Sequence, residues 1–342
     1  MKLETLYPRS WSALVAAAVL GLAGCEPSAS GDGSPSPQAS VASSAAQAEY
    51  QPITVQHALG ETTIEQLPRR VVAFDMNDVD SLDQLGVPVA GMPKDYVPDF
   101  LASYRDDAGV EDLGAIVRPN LERVYALKPD LILISPVQAQ YYDELSEIAP
   151  TLHFDWDLLN EQGSYIDIAK DHLLTLGRIF QKEALARKKV AEISAGVERA
   201  RSVTAGRPET ALIVMHNNGA YSSFGIRSRY GFVFDTLGVK PASRNIEPGL
   251  HGQPISNEFI SAVDPDILYV IDRTAVMERK ATLTMAIMAN PLLQQTRAWK
   301  AGRVVFVDAQ TWYVTAASVT SLGIIVDEVI QGYRTTPASP GA

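Results

Sequence analysis

The side chains able to do chemistry in this chain are few and lie far apart. Its five histidines are His57, His153, His172, His216 and His251. None pairs at the helical spacing that puts two imidazoles on one face, so no all-protein zinc or manganese site is expected. His251 stands in Pro248-Gly-Leu-His-Gly-Gln-Pro254, where the flanking glycines let the backbone turn and leave the ring accessible. Arg229 lies in Gly225-Ile-Arg-Ser-Arg-Tyr-Gly231, just ahead of a helical segment, and Arg273 directly follows the apolar run Ile267-Leu-Tyr-Val-Ile-Asp272. Strand C-terminal ends face the ligand crevice of open α/β sheets, so an arginine there suits an anion. Tyr313, in Asp308-Ala-Gln-Thr-Trp-Tyr313, follows the run Val304-Val-Phe-Val307 at the same edge, and its neighbour Trp312 reads as a core aromatic.

Enzyme signatures are missing. The chain has no G-x-S-x-G, Walker loop, G-x-G-x-x-G or H-E-x-x-H. Asp75-x-Asn77-Asp78-x-Asp80 has the look of a calcium loop, but Val79 and Gly86 occupy positions that need oxygen ligands. These residues read better as helix-capping groups.

The elements that must carry these residues alternate between short apolar runs and amphipathic stretches. Val71-Val-Ala-Phe74, Pro88-Val-Ala-Gly91, Leu131-Ile-Leu-Ile134 and Ala211-Leu-Ile-Val-Met215 read as strands. Helices are expected after Asp75, over Asn120–Leu127 and around Phe232–Leu237. One segment recurs. Asn120-Leu-Glu-Arg-Val-Tyr-Ala-Leu-Lys-Pro-Asp reappears as Ser256-Asn-Glu-Phe-Ile-Ser-Ala-Val-Asp-Pro-Asp, pairing Glu122 with Glu258 and Asp130 with Asp266. The repeat predicts two lobes of similar construction. Between them, Ile166, Ala169, Leu173, Leu176 and Phe180 step by three and four, as do Val190, Ile193, Val197 and Ala200. Gly177 is the expected break in this stretch. The expected fold is therefore two α/β lobes, residues 51–160 and 206–336, joined by a long rigid helix over 161–205, with a ligand cleft between the lobes.

Composition narrows the classes. The 342 residues carry 29 Lys and Arg against 40 Asp and Glu, a net charge of −11 that excludes a general nucleic-acid binder. The single cysteine excludes internal disulfides. Lys2 and Arg9 precede the uncharged stretch Ser10–Gly24, too short to span a bilayer but suited to a signal peptide over 1–24. That stretch ends Leu22-Ala-Gly-Cys25, which resembles the bacterial lipobox and predicts lipidation of Cys25. From Glu26 to Ala48, 20 of 23 residues are Ala, Ser, Gly, Pro or Gln, the composition of a flexible tether over 25–50.

On these motifs the chain resembles ferric-siderophore substrate-binding lipoproteins of ABC importers, in the helix-linked bilobal class and its CeuE-like, catecholate-siderophore branch. The likeness covers roughly residues 50–333. It rests on Arg69-Arg-Val-Val-Ala-Phe-Asp75, Asn120-Leu-Glu122 through Pro129-Asp130, Tyr142-Asp-Glu-Leu145, Ser228-Arg-Tyr-Gly-Phe232, His251-Gly252, Val270-Ile-Asp-Arg273 and Thr311-Trp-Tyr313. The resemblance implies that Arg229 and Arg273 offset the charge of an iron(III)–siderophore complex. It also implies that His251 and Tyr313 bind the iron directly when a tetradentate chelator leaves two positions open. Glu122 and Glu258 are implied as one docking knob per lobe for the permease subunits. Where such proteins commonly place a third arginine, this chain has Val137 in Ser135-Pro-Val-Gln138, which implies a less negative ligand; Arg118 on a nearby loop is a substitute the sequence leaves open.

The reading is a non-enzymatic, monomeric receptor in the cell envelope, lipid-anchored at the periplasmic or outer face of a membrane. No resident cofactor or nucleic-acid partner is expected. Two alternatives remain open at this point: a haem- or corrinoid-binding protein of the same fold, and a siderophore-processing enzyme.

Overall fold

The computed structural model describes residues 50–156, 164–279 and 282–334. The expected leader, Cys25 and all of the tether but Tyr50 lie outside the described residues. Among the described residues no helix is long and apolar enough to cross a membrane.

The first lobe opens with an antiparallel hairpin, β1 (Ile53–His57) and β2 (Gly60–Ile64). Then come β3 (Val71–Ala73), α1 (Met76–Gln84), β4 (Val89–Met92), α2 (Ala102–Asp106) and β5 (Glu111–Asp112). The short pair β6 (Gly114–Ala115) and β7 (Arg118–Pro119) precedes α3 (Leu121–Leu127), β8 (Leu131–Ile134), α4 (Tyr142–Ser146) and β9 (Thr151–His153). The sheet is parallel with order β5-β4-β3-β8-β9. Helices cover both of its faces, which is why β8 reads as an unbroken apolar run. Leu131 and Leu133 pack into one cluster while Ile132 and Ile134 pack into another on the opposite face.

Two helices follow, as the expected break in this stretch implies. They are α5 (Tyr165–Ile179) and α6 (Glu183–Thr204). The break falls at Phe180–Lys182, where Gln181 takes φ 55°, and not at Gly177. Gly177 is inside α5 and does a different job: a Cβ there would stand 2.5 Å from the Cβ of Ala186, so its absence lets α6 pack closely on α5.

The second lobe contains β10 (Thr210–Asn217), β11 (Ala220–Phe224), α7 (Gly231–Asp235), β12 (Lys240–Pro241), β13 (Gln253–Ile255), α8 (Asn257–Val263) and β14 (Ile267–Asp272). It continues through α9 (Arg273–Glu278), α10 (Met285–Met288), α11 (Pro291–Gln294), α12 (Arg297–Lys300), β15 (Val304–Phe306) and α13 (Val319–Gly332). Its sheet runs β13-β11-β10-β14-β15, with β12 beside β10. β14 and β15 are parallel to β10, but β11 and β13 bring in antiparallel pairing, so the lobes match in their parallel centre and differ at one edge.

The repeat has a structural cause. Asn120 and Ser256 cap α3 and α8, and Lys128 and Asp264 end those helices in the left-handed conformation. Asp130 then accepts the backbone N–H groups of Arg69 and Arg70, both at 2.8 Å, just ahead of β3. Asp266 accepts the N–H of Thr210 at 2.9 Å, at the start of β10. Each Pro-Asp thus ties its own strand to the neighbouring parallel strand. Asp130→Ala is expected to lower stability by about 1–2 kcal/mol, the low end for bonds to a charged acceptor because both N–H groups are exposed. Urea unfolding would read this as a lower midpoint at unchanged slope.

One apolar cluster runs through both lobes, joining Val71, Met76, Leu173, Val197, Ile213, Trp312 and Ile325. Polar bonds reinforce that junction. The Asn77 amide oxygen accepts the N–H of Ala317 at 3.0 Å. Asp80 accepts the N–H and hydroxyl of Thr320 at 2.8 and 2.6 Å, at the N-terminus of α13, where a carboxylate complements the helix dipole. Of the two capping candidates in the sequence, Asp75 and Asn77, it is Asp75 that caps α1. Asp78 is fully buried with neither oxygen partnered among the described residues, and burial, aided by Asp75, pushes its carboxyl far upward.

Candidate functional site

Tyr313 is held by the segment that leaves β15. Thr311–Thr315 forms a single π-helical turn closed by the N–H of Ala316 on the carbonyl of Thr311 at 2.7 Å. Such turns concentrate at functional sites. Glu328 of α13 fixes the turn from below, accepting the N–H of Asp308 and the indole N–H of Trp312, both at 2.6 Å. Burial pushes the Glu328 carboxyl up to about 7, against those two bonds. Trp312 is fully buried against Tyr230 and Tyr269, so the reading of it as a core aromatic holds. The Tyr230 hydroxyl donates to the Trp312 carbonyl at 3.0 Å.

Two arginines converge on this turn from other elements. Arg273, the first residue of α9, donates from Nε to the Tyr313 hydroxyl at 2.8 Å and from Nη1 to the Asn217 amide oxygen at 3.0 Å. Arg229, between β11 and α7, donates from Nη2 to the Tyr313 carbonyl at 2.8 Å. Its buried Nε has no partner among the described residues. The guanidinium carbons of Arg229 and Arg273 lie 5.5 and 5.2 Å from the Tyr313 ring centroid. Across the lobe boundary, Asp75 feels the positive charge of Arg229. Burial nevertheless raises its carboxyl, against hydrogen bonds from Asn77 and Ser135 as well as that charge. Two half-buried cations sharing one phenol, with a donor left over, form a site suited to an anion.

Among the described residues, the other sequence candidates make no hydrogen bond or ring contact with this cluster. His251 is exposed on the loop ahead of β13, and among the described residues its side chain makes no hydrogen bond or ring contact. The loop closes at Gly252, φ 73°, where a Cβ would meet the Phe224 ring and the Ser223 carbonyl at 2.9 Å. Glu122 and Glu258 are exposed in the first turns of α3 and α8, and the Ser256 hydroxyl holds the Glu258 carboxyl below its usual range. Val137 is 45% exposed and Arg118 is exposed, with their loops tied by the Gln138 amide on the Ile116 carbonyl at 2.6 Å. His172, pushed down to about 3 by burial and then by His153, packs between Phe154 and Trp156 as a neutral ring.

A cavity of about 530 Å³ opens between the lobes near this cluster, walled by Tyr96, Val97, Val276, Phe306 and Val314 among others. Arg279 on the Asp95 carbonyl at 3.0 Å and the Asp99 N–H on Gln310 at 2.7 Å bridge the lobes beside it. Its walls set Lys94, Arg105 and Arg279 against Asp95, Asp99, Asp272 and Asp308, so they carry no excess of positive charge. The arginine–tyrosine cluster, which is not in those walls, is the better anion site.

Sequence reasoning missed Asn217, although Asn218-Gly219 is a strong two-residue hairpin signal. Both residues take positive φ, 50° and 85°, and return the chain from β10 into β11. That turn delivers the Asn217 oxygen to Arg273.

The chain matches the profile of the periplasmic binding protein family over residues 71–311. It is 55% identical over 322 residues to the ferric-anguibactin-binding protein FatB of Vibrio anguillarum, covering 94% of this chain and 97% of FatB. It is 36% identical over 298 residues to the petrobactin-binding protein YclQ of Bacillus subtilis, covering 86% and 92%. Among solved structures, the siderophore-binding protein BauB, bound to a complex between two molecules of acinetobactin and ferric iron, superposes with a TM-score of 0.80 at 59% identity, covering 84% of this chain and all of BauB. A family profile spanning most of the chain, joined to such relatives, decides the family: this chain belongs to the periplasmic binding proteins.

Proposed function

We propose that this protein captures a ferric siderophore between its lobes and delivers it to the permease of an ABC importer outside the cytoplasm. The observation that carries this reading is the convergence of Arg229 and Arg273 on Tyr313 in a chain whose net charge is −11. An acidic protein that gathers two cations around one tyrosine selects an anionic ligand there. The names of FatB, YclQ and BauB support iron–siderophore cargo and lend nothing to a haem or corrinoid ligand. Those relatives are binding proteins, which favours a receptor over a siderophore-processing enzyme.

On this reading Arg229 and Arg273 neutralise the chelate. Tyr313 and His251 fill the two iron positions that a tetradentate chelator leaves open, since hard ferric iron accepts phenolate and also takes imidazole. The glycine-flanked loop gives His251 the backbone freedom to reach the iron. Glu122 and Glu258 dock the permease, and Cys25 carries the lipid anchor of a monomeric receptor.

The test is a titration of intrinsic fluorescence and charge-transfer absorbance with tetradentate and hexadentate ferric catecholates, and with haem as the competitor. Binding of the ferric chelates, with a band shift confined to the tetradentate one, is the expected result. His251→Ala and Tyr313→Phe should each weaken the tetradentate complex more than the hexadentate one. Equal losses would make these side chains mere lining, and tight haem binding without chelate binding would overturn the function.

A further inference from the structure

We infer that the largely buried His216–Asp272 pair is the device that positions Arg273 for chelate capture. The inference rests on Arg273 being a ligand-binding group, as proposed above.

His216 is the penultimate residue of β10, and the parallel register sets it opposite Asp272, the last residue of β14. Its Nδ1 lies 3.3 Å from the Asp272 carboxylate, and both side chains are largely buried, at 13% and 5% exposure. Its Nε2 accepts the backbone N–H of Gly219 at 2.9 Å. A ring that accepts at Nε2 carries its hydrogen on Nδ1, so His216 is the neutral tautomer donating to Asp272. Asp272 in turn caps α9 through the N–H of Ala275 at 3.3 Å and holds the N–H of Leu283 at 2.7 Å.

The bond to Gly219 closes the turn Asn217-Asn218-Gly219, and that turn grips α9. The Asn217 oxygen receives Arg273 Nη1, the Asn218 N–H donates to the Thr274 hydroxyl at 2.7 Å, and the Asn218 amide donates to Glu278. Beyond Asn217, the polar contact that orients the Arg273 guanidinium is the Tyr313 hydroxyl. His216 therefore sets where the guanidinium points without touching a ligand itself.

Charged and titratable groups surround His216 on each side. They are Asp272 from β14, Tyr221 from β11 at 5.4 Å between rings, and Arg273 and Glu278 of α9 beyond the turn. Burial raises the Tyr221 hydroxyl, which stays protonated. Without the His216 acceptor the Gly219 N–H loses its partner, the turn opens, and Arg273 loses its Asn217 partner.

The experiment measures affinity for the iron(III) complex of a tetradentate bis-catecholate by fluorescence quenching at pH 8. It compares the parent protein with His216→Phe, His216→Gln, Asn217→Ala and Arg273→Ala. His216→Phe should lose about 5- to 30-fold at pH 8, the range set by one or two neutral hydrogen bonds. His216→Gln can still accept the Gly219 N–H and should recover part of that loss. Parental affinity in His216→Phe, or no recovery in His216→Gln, overturns the inference. Asn217 is exposed, so Asn217→Ala keeps the test alive should His216→Phe fail to fold, and parental affinity in it also overturns the inference. Parental affinity in Arg273→Ala is a distinct outcome, because it removes the ligand-site reading itself.

Discussion

Replacing Arg229 and Arg273 together by Ala should reduce ferric-chelate affinity by about 10²- to 10⁴-fold, since charge-assisted hydrogen bonds contribute about 1.5–3 kcal/mol each. The lower half of that range is expected. Both arginines hold Tyr313, one at its carbonyl and one at its hydroxyl, and coupled residues do not add. Each single change should cost about 10- to 150-fold on the same per-bond range. The losses should shrink for chelates of lower negative charge and with added salt, because the effect is electrostatic. Isothermal titration of the folded variants checks this. Affinity within a factor of two of the parent for the double variant would show that the anion binds elsewhere, with the polar cavity beside Tyr96 and Val276 the next place to look.

Removing both Glu122 and Glu258 should abolish uptake while leaving chelate affinity and melting temperature near those of the parent. The two residues occupy equivalent first turns of α3 and α8, and both are exposed. Exposed carboxylates contribute little to folding, so a large loss of transport has no origin in stability. Single substitutions should leave partial transport, one knob remaining engaged. Iron uptake by cells carrying the double variant is the measurement, and normal uptake would remove these residues from docking.

Much of the fold was legible because its signals are local. The apolar runs of β3 and β8, the step-of-three-and-four pattern of α5 and α6, and the cap at Asp75 each depend on neighbours within a turn or two of chain. The repeated Pro-Asp was visible for a similar reason, since one local solution tethers a strand in each lobe. Gly177 misled because a glycine in a helical pattern signals a break as readily as it signals a close approach by a second helix. Only the contact with Ala186 separates the two.

The candidate site divides along the same line. The sequence by itself put Arg273 at a strand end, Tyr313 after another, and Trp312 in the core, because strand boundaries and burial follow from short-range patterns. It also named His251, which the structure leaves exposed and without a hydrogen bond to the arginines among the described residues. Only tertiary structure brought Arg229, 84 residues away in sequence, and Arg273, 40 away, onto one tyrosine. Tertiary structure alone made His216 the partner of Asp272, 56 residues on. Those meetings depend on the register of β10 against β14 and on how the turn after β15 seats against α13. Register is a property of pairs of segments, fixed by the packing of both sheet faces at once, and no single stretch of sequence contains it.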